Sequence, residues 1–293
     1  MRSILLLRSL TTAGLILGAG ACATFEVNEK FFLHPTPDRP LTAETVAQYL
    51  PAGYQLEEHR IPAAGNATLH SILLRHPEAR QTVLYFGGNM YRISQNGLQT
   101  VRRLAPLGVN VLLVDHRGYG KSTGEPTVAL LAQDALTAYD YLRRLPGVAA
   151  DEIVVHGQSL GSFMAGSVAD QRPVAGVVLE SSATTVQEWS QYSTPWFAKP
   201  FVRVRVDPAL RQMGNLAVVR RLQHPLLVLV GARDDQAPPP LSRRLFREAA
   251  VPDSMKRLYV FPAAGHNDVP AQPEFSRVYR EFLNTVAPRR TRG

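Results

Sequence analysis

Ile153-Val154-Val155-His156-Gly157-Gln158-Ser159-Leu160-Gly161 is a short β-branched run that leads into the pentapeptide G-x-S-x-G. Small residues recur just beyond it at Gly161, Ala165 and Gly166. The stretch therefore reads as strand, sharp turn and helix. A serine on such a turn has a strained backbone, and bulky neighbours would collide with the adjoining strand and helix. Glycines two before and two after relieve that crowding. A helix that begins at the serine aims its amide N–H groups and positive dipole end at a developing oxyanion. The pentapeptide alone occurs by chance in many chains. With a strand before it and a helix after it, Ser159 becomes a candidate nucleophile.

Strand and helix patterns alternate outward from this turn. Residues 54–61 and 68–75 read as a hairpin around Gly65 and Asn66. Residues 82–86 form a strand that ends in Gly87-Gly88, 92–107 a helix, and 109–115 a buried strand. A helix over 127–145 has Pro126 at its entrance. Further strands fall at 174–180, 226–230 and 257–261, with helices at 160–170, 241–250 and 274–286. This predicts an α/β fold, a doubly wound and mostly parallel sheet with an antiparallel N-terminal hairpin. Between Glu180 and Pro225 there is room only for a small cap. It contains Trp189, Trp196, Tyr192, Phe197 and Phe201, which suit either an apolar wall for an acyl chain or a lid helix packed on the body. Arg203 and Arg205 follow in alternation.

A serine hydroxyl is a poor nucleophile until a base takes its proton, so a histidine and an orienting acid are expected later in the chain. The strand at 226–230 runs into Gly231-Ala-Arg-Asp234-Asp235, and that at 257–261 into Pro262-Ala-Ala-Gly265-His266-Asn267-Asp268. Both loops belong at the carboxyl edge of a parallel sheet, where such folds bind ligands. Of eight histidines, His266 lies in the last strand-to-helix loop and is the expected base. His59, His70 and His76 fall in the hairpin region, where a solvated role suits them, and His156 suits packing. Asp234 is the expected acid by its spacing from Gly231, with Asp235 and Asp268 as alternatives. Gly120-Lys121-Ser122 fails as a phosphate loop because Asp115 stands where its first glycine belongs. Asp115 and Arg117 are expected to pair as structure. No metal-ligand cluster is evident, and no cofactor is expected.

The set Asp115-His-Arg117-Gly118-Tyr119-Gly120-Lys-Ser122, Gly124-Glu125-Pro126, Gly157–Gly161, Gly231/Asp234 and Gly265-His266-Asn267-Asp268 resembles the α/β-hydrolase superfamily over nearly all of residues 50–287. It is most similar to the small membrane-associated branch that includes protein depalmitoylases. The resemblance implies a serine hydrolase of ester, thioester or related acyl bonds, acting on a small-molecule or acylated substrate. It also implies an oxyanion hole made by the backbone N–H of Leu160 and that of Asn89, or of Met90. Where the family carries His-Gly-Asn, this chain has Gly87-Gly88-Asn89, which a backbone donor tolerates. A serine peptidase and a non-catalytic envelope-anchored binding protein are the alternatives.

The chain has 293 residues, a formal charge of +8 and one cysteine. Its basic residues are scattered apart from Arg289, Arg290 and Arg292 at the tail, so no nucleic-acid partner is expected. Residues 1–23 read as a signal peptide. Ala-Gly-Ala before Cys22 resembles a lipobox that would leave Cys22 lipidated, giving peripheral membrane contact, whereas Ala21-Cys22-Ala23 also suits ordinary cleavage before Thr24. The expectation is export from a bacterial cytoplasm and a periplasmic, membrane-anchored protein. Residues 24–53, rich in proline, read as a tether and N-terminal extension that joins a hydrolase domain at 54–293.

Overall fold

Runs such as Val111-Leu-Leu-Val114 and Leu226-Leu-Val-Leu-Val230 have no polar alternation, so strands made from them must be covered on both faces. The computed structural model describes residues 23–36, 50–194, 197–211 and 213–287. In chain order its elements are β1 (Ala23–Val27), α1 (Glu29–Phe32), β2 (Gln55–Ala63), β3 (Ala67–Arg75), β4 (Thr82–Phe86), α2 (Leu98–Leu104), β5 (Asn110–Val114), α3 (Val128–Arg144), β6 (Ile153–Gln158) and α4 (Leu160–Gln171). Then come β7 (Gly176–Glu180), α5 (Val186–Ser193), β8 (Val202–Val206), α6 (Pro208–Arg211), α7 (Leu216–Val219), β9 (Leu226–Gly231), α8 (Pro239–Glu248), β10 (Lys256–Phe261) and α9 (Phe275–Val286).

Eight strands make one sheet in the order β10-β9-β7-β6-β4-β5-β3-β2. Neighbours are parallel except at β2–β3 and β3–β5, which pair antiparallel. This is the α/β-hydrolase fold. Strands β4, β5, β6, β7 and β9 are buried at every position. Successive side chains feed opposite cores. Leu84, Phe86, Leu112, Val114 and Val155 meet Ala138, Met164 and Val168 on one side. Val83, Tyr85, Val111, Leu113 and Val154 meet Val101, Leu104, Val278 and Phe282 on the other. Strand β4 has its successor β5 on one side and β6 on the other. That reversal opens a crevice at the carboxyl ends of these strands.

Several local features differ from the sequence pattern. The helix expected over 92–107 is a π turn at Ile93–Gly97, then α2, then a 3₁₀ turn at Ala105–Leu107. Gly97 and Pro106 account for the breaks, since glycine weakens a helix interior and proline donates no hydrogen bond. The described part of the 24–53 segment packs on the body as a strap. Strand β1 pairs in parallel with β8, and Val27 and Leu33 are buried. Glu29 accepts a 2.7 Å bond from the Val128 N–H at the start of α3. Strand β8 has the period-two pattern Val-Arg-Val-Arg-Val, which reads as charge alternation when its partner strand is not known. Residues 1–22 with Cys22, the tail arginines 289, 290 and 292, and Trp196 lie outside the described residues.

Two expectations are corrected in the turn after β5. Asp115 and Arg117 do not pair with each other. The turn through Gly118 and Gly120, both at positive φ, wraps so closely around Asp115 that a Cβ on Gly120 would lie 2.3 Å from its carboxylate. Asp115 accepts from the Ile93 and Lys121 amides at 2.8 and 3.2 Å and lies 2.7 Å from His70 Nδ1. His70 is therefore buried, not solvated as expected of a hairpin histidine. Arg117 instead crosses to α3, where Nε and Nη2 donate to Asp134 at 2.8 and 2.6 Å and Nη1 to the Ala64 carbonyl at 2.8 Å.

Both members of the Arg117–Asp134 pair are almost wholly out of solvent, with side-chain exposures of 3% and 6%. Removing one partner from a buried pair leaves the other charged and uncompensated, at a cost of about 3–5 kcal/mol. Asp134→Ala should destabilise the fold by that order in urea unfolding. A loss below about 1 kcal/mol, the ordinary range of an exposed pair, would contradict this reading of the turn.

Candidate active site

The site is built on the turn between β6 and α4. Ser159 has φ 53° and ψ −114°, a left-handed backbone that a side chain with a Cβ enters only under strain. Packing holds it there. A Cβ on Gly157 would lie 2.2 Å from the Gly161 carbonyl oxygen, and one on Gly161 would lie 2.1 Å from that of Phe86. The first turn of α4 thus rests on β4 and β6 at backbone distance. The Ser159 N–H donates to the Glu180 carbonyl at 2.9 Å, which ties the turn to β7. Leu160 opens α4, so its N–H belongs to the first turn that a helix leaves without internal acceptors.

The loops after β9 and β10 bring Asp234 and His266 to the same edge. His266 Nε2 lies 2.9 Å from Ser159 Oγ. On the other side of the ring, Nδ1 is 2.9 Å from both carboxylate oxygens of Asp234. Asp234 Oδ1 also accepts from the Gln236 and Ala237 amides at 3.0 and 2.8 Å. A carboxylate with these donors accepts the Nδ1 proton of a neutral imidazole. Nε2 then carries a lone pair toward the serine hydroxyl, which donates to it. The Asp234 side chain is fully buried and that of His266 is 8% exposed. Asp235 is exposed, and Asp268 turns back to accept from the Gly265 amide at 2.6 Å. Of the three candidate acids, Asp234 is the one that meets the imidazole.

Gln158, Ser181, His116 and Tyr119 shape this site without having been given a role in it from the sequence, and Trp189, expected in the cap, joins them. Gln158 Nε2 donates to the His266 carbonyl and to Asn267 Oδ1 at 3.4 and 3.2 Å. Ser181 Oγ donates to the same carbonyl at 3.3 Å. These bonds hold the histidine loop against the elbow. A Cβ on Gly88 would lie 3.4 Å from Ser159 Cβ, which places the loop after β4 directly beside the serine. Asn89 in that loop is clamped by its side chain. Its Oδ1 accepts from the His34 N–H at 3.1 Å and Tyr119 O–H at 2.8 Å, and its Nδ2 donates to the Phe32 carbonyl at 2.7 Å. His116 Nε2–H donates to the Gly87 carbonyl at 2.8 Å from below. On the cap side, the Trp189 indole donates to the Gln236 carbonyl at 2.7 Å and meets Phe32 edge-on. His156 lies outside this arrangement, buried 3.1 Å from Glu180.

These contacts lead to two expectations. Gly161→Ala forces a methyl group into the Phe86 carbonyl. Such overpacking costs typically about 1–3 kcal/mol, and here the obstacle is backbone, so thermal unfolding should come earlier and the Ser159–His266 contact should be lost. An unaltered melting curve would contradict the packing argument. Burial holds the His116 imidazole below the ordinary histidine value. Because its folded pKa lies below the unfolded one, its contribution is complete above about pH 6.5 and is lost as pH falls through the folded value. His116→Gln keeps the donor to Gly87 without the titration. It should therefore reduce the loss of unfolding free energy between about pH 7 and pH 5. Identical pH slopes for the two proteins would contradict this.

Comparison with known proteins agrees with the fold. The hydrolase family model described as serine aminopeptidase, S33, matches residues 77–217, a span that includes Ser159 and stops before Asp234 and His266. An uncharacterized protein of Mycobacterium tuberculosis is 38% identical over 164 residues, 55% of this chain. That match spans only about half, 54%, of the relative's own length. Protein bem46 of Schizosaccharomyces pombe is 30% identical over 241 residues, covering 80% of this chain and 79% of that protein. Among solved structures, the Pyrococcus furiosus esterase Pf2001 superposes with a TM-score of 0.68 at 18% identity, over 92% of this chain and all of the other. The chain belongs to the α/β-hydrolase superfamily.

Proposed function

We propose that the protein hydrolyses an ester, thioester or related acyl bond through an acyl-enzyme on Ser159. One observation carries this reading: an unbroken chain from Ser159 Oγ through both ring nitrogens of His266 to Asp234, with every contact at 2.9 Å. As Ser159 Oγ attacks the substrate carbonyl, His266 Nε2 takes its proton, and the buried Asp234 carboxylate stabilises the imidazolium that forms. The developing oxyanion faces the N–H groups of Leu160 and Asn89. His266 then passes the proton to the leaving oxygen, sulfur or nitrogen as its bond to the acyl carbon breaks. Water, deprotonated by the same nitrogen, attacks the acyl-enzyme and frees Ser159. Retention of a serine at φ 53° supports turnover over passive binding, since strain of this kind concentrates where function requires it.

The family description as a serine aminopeptidase favours a second reading, amide cleavage by the same residues. Parallel assays with p-nitrophenyl esters and amino-acyl p-nitroanilides separate the two.

A fluorophosphonate probe should label the protein at Ser159, and Ser159→Ala should abolish both labelling and p-nitrophenyl acetate turnover. Asp234→Asn removes the acceptor that fixes the imidazole tautomer and should lower kcat by roughly four orders of magnitude. Turnover of Ser159→Ala at the level of the unaltered protein would overturn the assignment.

A further inference from the structure

The outer face of the cap carries a set of aromatic and cationic side chains that the proposed chemistry does not use. In β8, Val206 is buried and Val202 and Val204 are half-buried, while Arg203 and Arg205 point outward. Phe201 continues the outward set one step earlier and is 71% exposed. Phe197 and Tyr192 on the same cap are 58% and 47% exposed. A cleft of about 360 Å³ is lined by Arg203, Arg205, Arg211 and Thr24. A second, of about 610 Å³, is lined by Tyr192, Lys199 and Arg244. Gln187 borders both, so the two belong to one continuous face. Arg244 is held by Glu188, and Glu26 stands beside Arg205 in the β1–β8 register. Lys199, Arg203, Arg205 and Arg211 set against Glu26 leave the face positive.

We infer that this face docks on a bilayer containing anionic phospholipid. Exposed aromatic rings rimmed by cations mark an interaction surface. Rings that enter the acyl boundary while arginine and lysine reach phosphate groups are the chemistry of interfacial binding. The course of the chain selects a bilayer over a protein partner. Ala23 pairs with Val202, so the chain enters the fold beside Phe201. The segment before it, residues 9–21, is apolar and contains no charged residue. With that segment retained, or with Cys22 lipidated in its place, an apolar anchor would join the fold at Ala23, at the edge of this face; cleavage before Thr24 would leave the face to bind by its own side chains. The inference does not depend on which bond the enzyme cleaves.

The test uses the full chain with Cys22→Ser, which frees the protein of its one cysteine, and a polarity-sensitive fluorophore on Phe201→Cys. The control carries the fluorophore on Ser276→Cys, an exposed position on α9, which covers the opposite face of the sheet. On phosphatidylcholine vesicles with about one-third phosphatidylglycerol, emission at 201 should shift to the blue and rise about twofold, as for a ring leaving water. Emission at 276 should stay unchanged. Arg203→Glu/Arg205→Glu, with folding checked by circular dichroism, should lower the bound fraction roughly tenfold or more. Should Phe201→Cys fail to fold, the fluorophore on Tyr192→Cys gives the same reading. Vesicle binding with an aqueous signal at 201 would overturn the inference, because the leader alone would then be responsible. So would an equal response on pure phosphatidylcholine, or a blue shift that grows with protein concentration without vesicles, which would mark a second copy of the chain as the occupant.

Discussion

The arrangement depends on one close approach of backbone to backbone. Helix α4 begins where β6 ends, and its first turn presses against the carbonyls of Phe86 and Gly87. That approach is open only to residues without a Cβ at 157 and 161. It leaves Ser159 no room to relax out of the left-handed region, so the hydroxyl stands proud of the sheet. The helix N-terminus supplies amides beside the same point. In the proposed mechanism, the placement of the nucleophile and of the oxyanion donors therefore follows from one packing constraint.

Sheet topology does the rest of the positioning. Strands β4, β6, β7, β9 and β10 run parallel, so the loops that follow them emerge at one edge. Asn89, Ser159, Ser181, Asp234 and His266 all come from those loops. The deepest of the charged groups, Asp234, is satisfied by two amides of its own turn as well as by the imidazole. The strap at residues 23–36 adds a second level of control. Phe32 and His34 contact Asn89 and Phe32 meets Trp189, so the loop after β4 and the cap helix are joined through the chain's own N-terminal segment.

Much of this was legible in the residues themselves. Strands buried on both faces announce themselves as unbroken apolar runs, and the elbow combines a short motif with a local context. The loops bearing Asp234 and His266 were identifiable because each follows a strand pattern, an unbroken apolar run before Asp234 and the edge strand Lys256–Phe261 before His266. Features set by distant partners were not. Val-Arg-Val-Arg-Val is a strand only beside residues 23–27, nearly 180 positions earlier. His70 looked like a solvated hairpin residue, yet it is buried against Asp115, 45 positions away. Arg117 ignores the acid two residues before it for one on a helix, because the intervening turn points them apart. The choice among Asp234, Asp235 and Asp268 could be narrowed by spacing but needed the direction of each carboxylate. Gln158 sits inside the motif, and its role in holding the histidine loop arises from a partner 108 positions on.

The most direct test of the account is a crystal structure of the protein after reaction with a small alkyl phosphonate that mimics the tetrahedral intermediate. The account predicts a single covalent bond from phosphorus to Ser159 Oγ. The phosphoryl oxygen should lie within hydrogen-bond distance of the Leu160 and Asn89 amides, and His266 should still be bridged to Asp234. An adduct on another side chain, or a phosphoryl oxygen directed away from the first turn of α4, would contradict it.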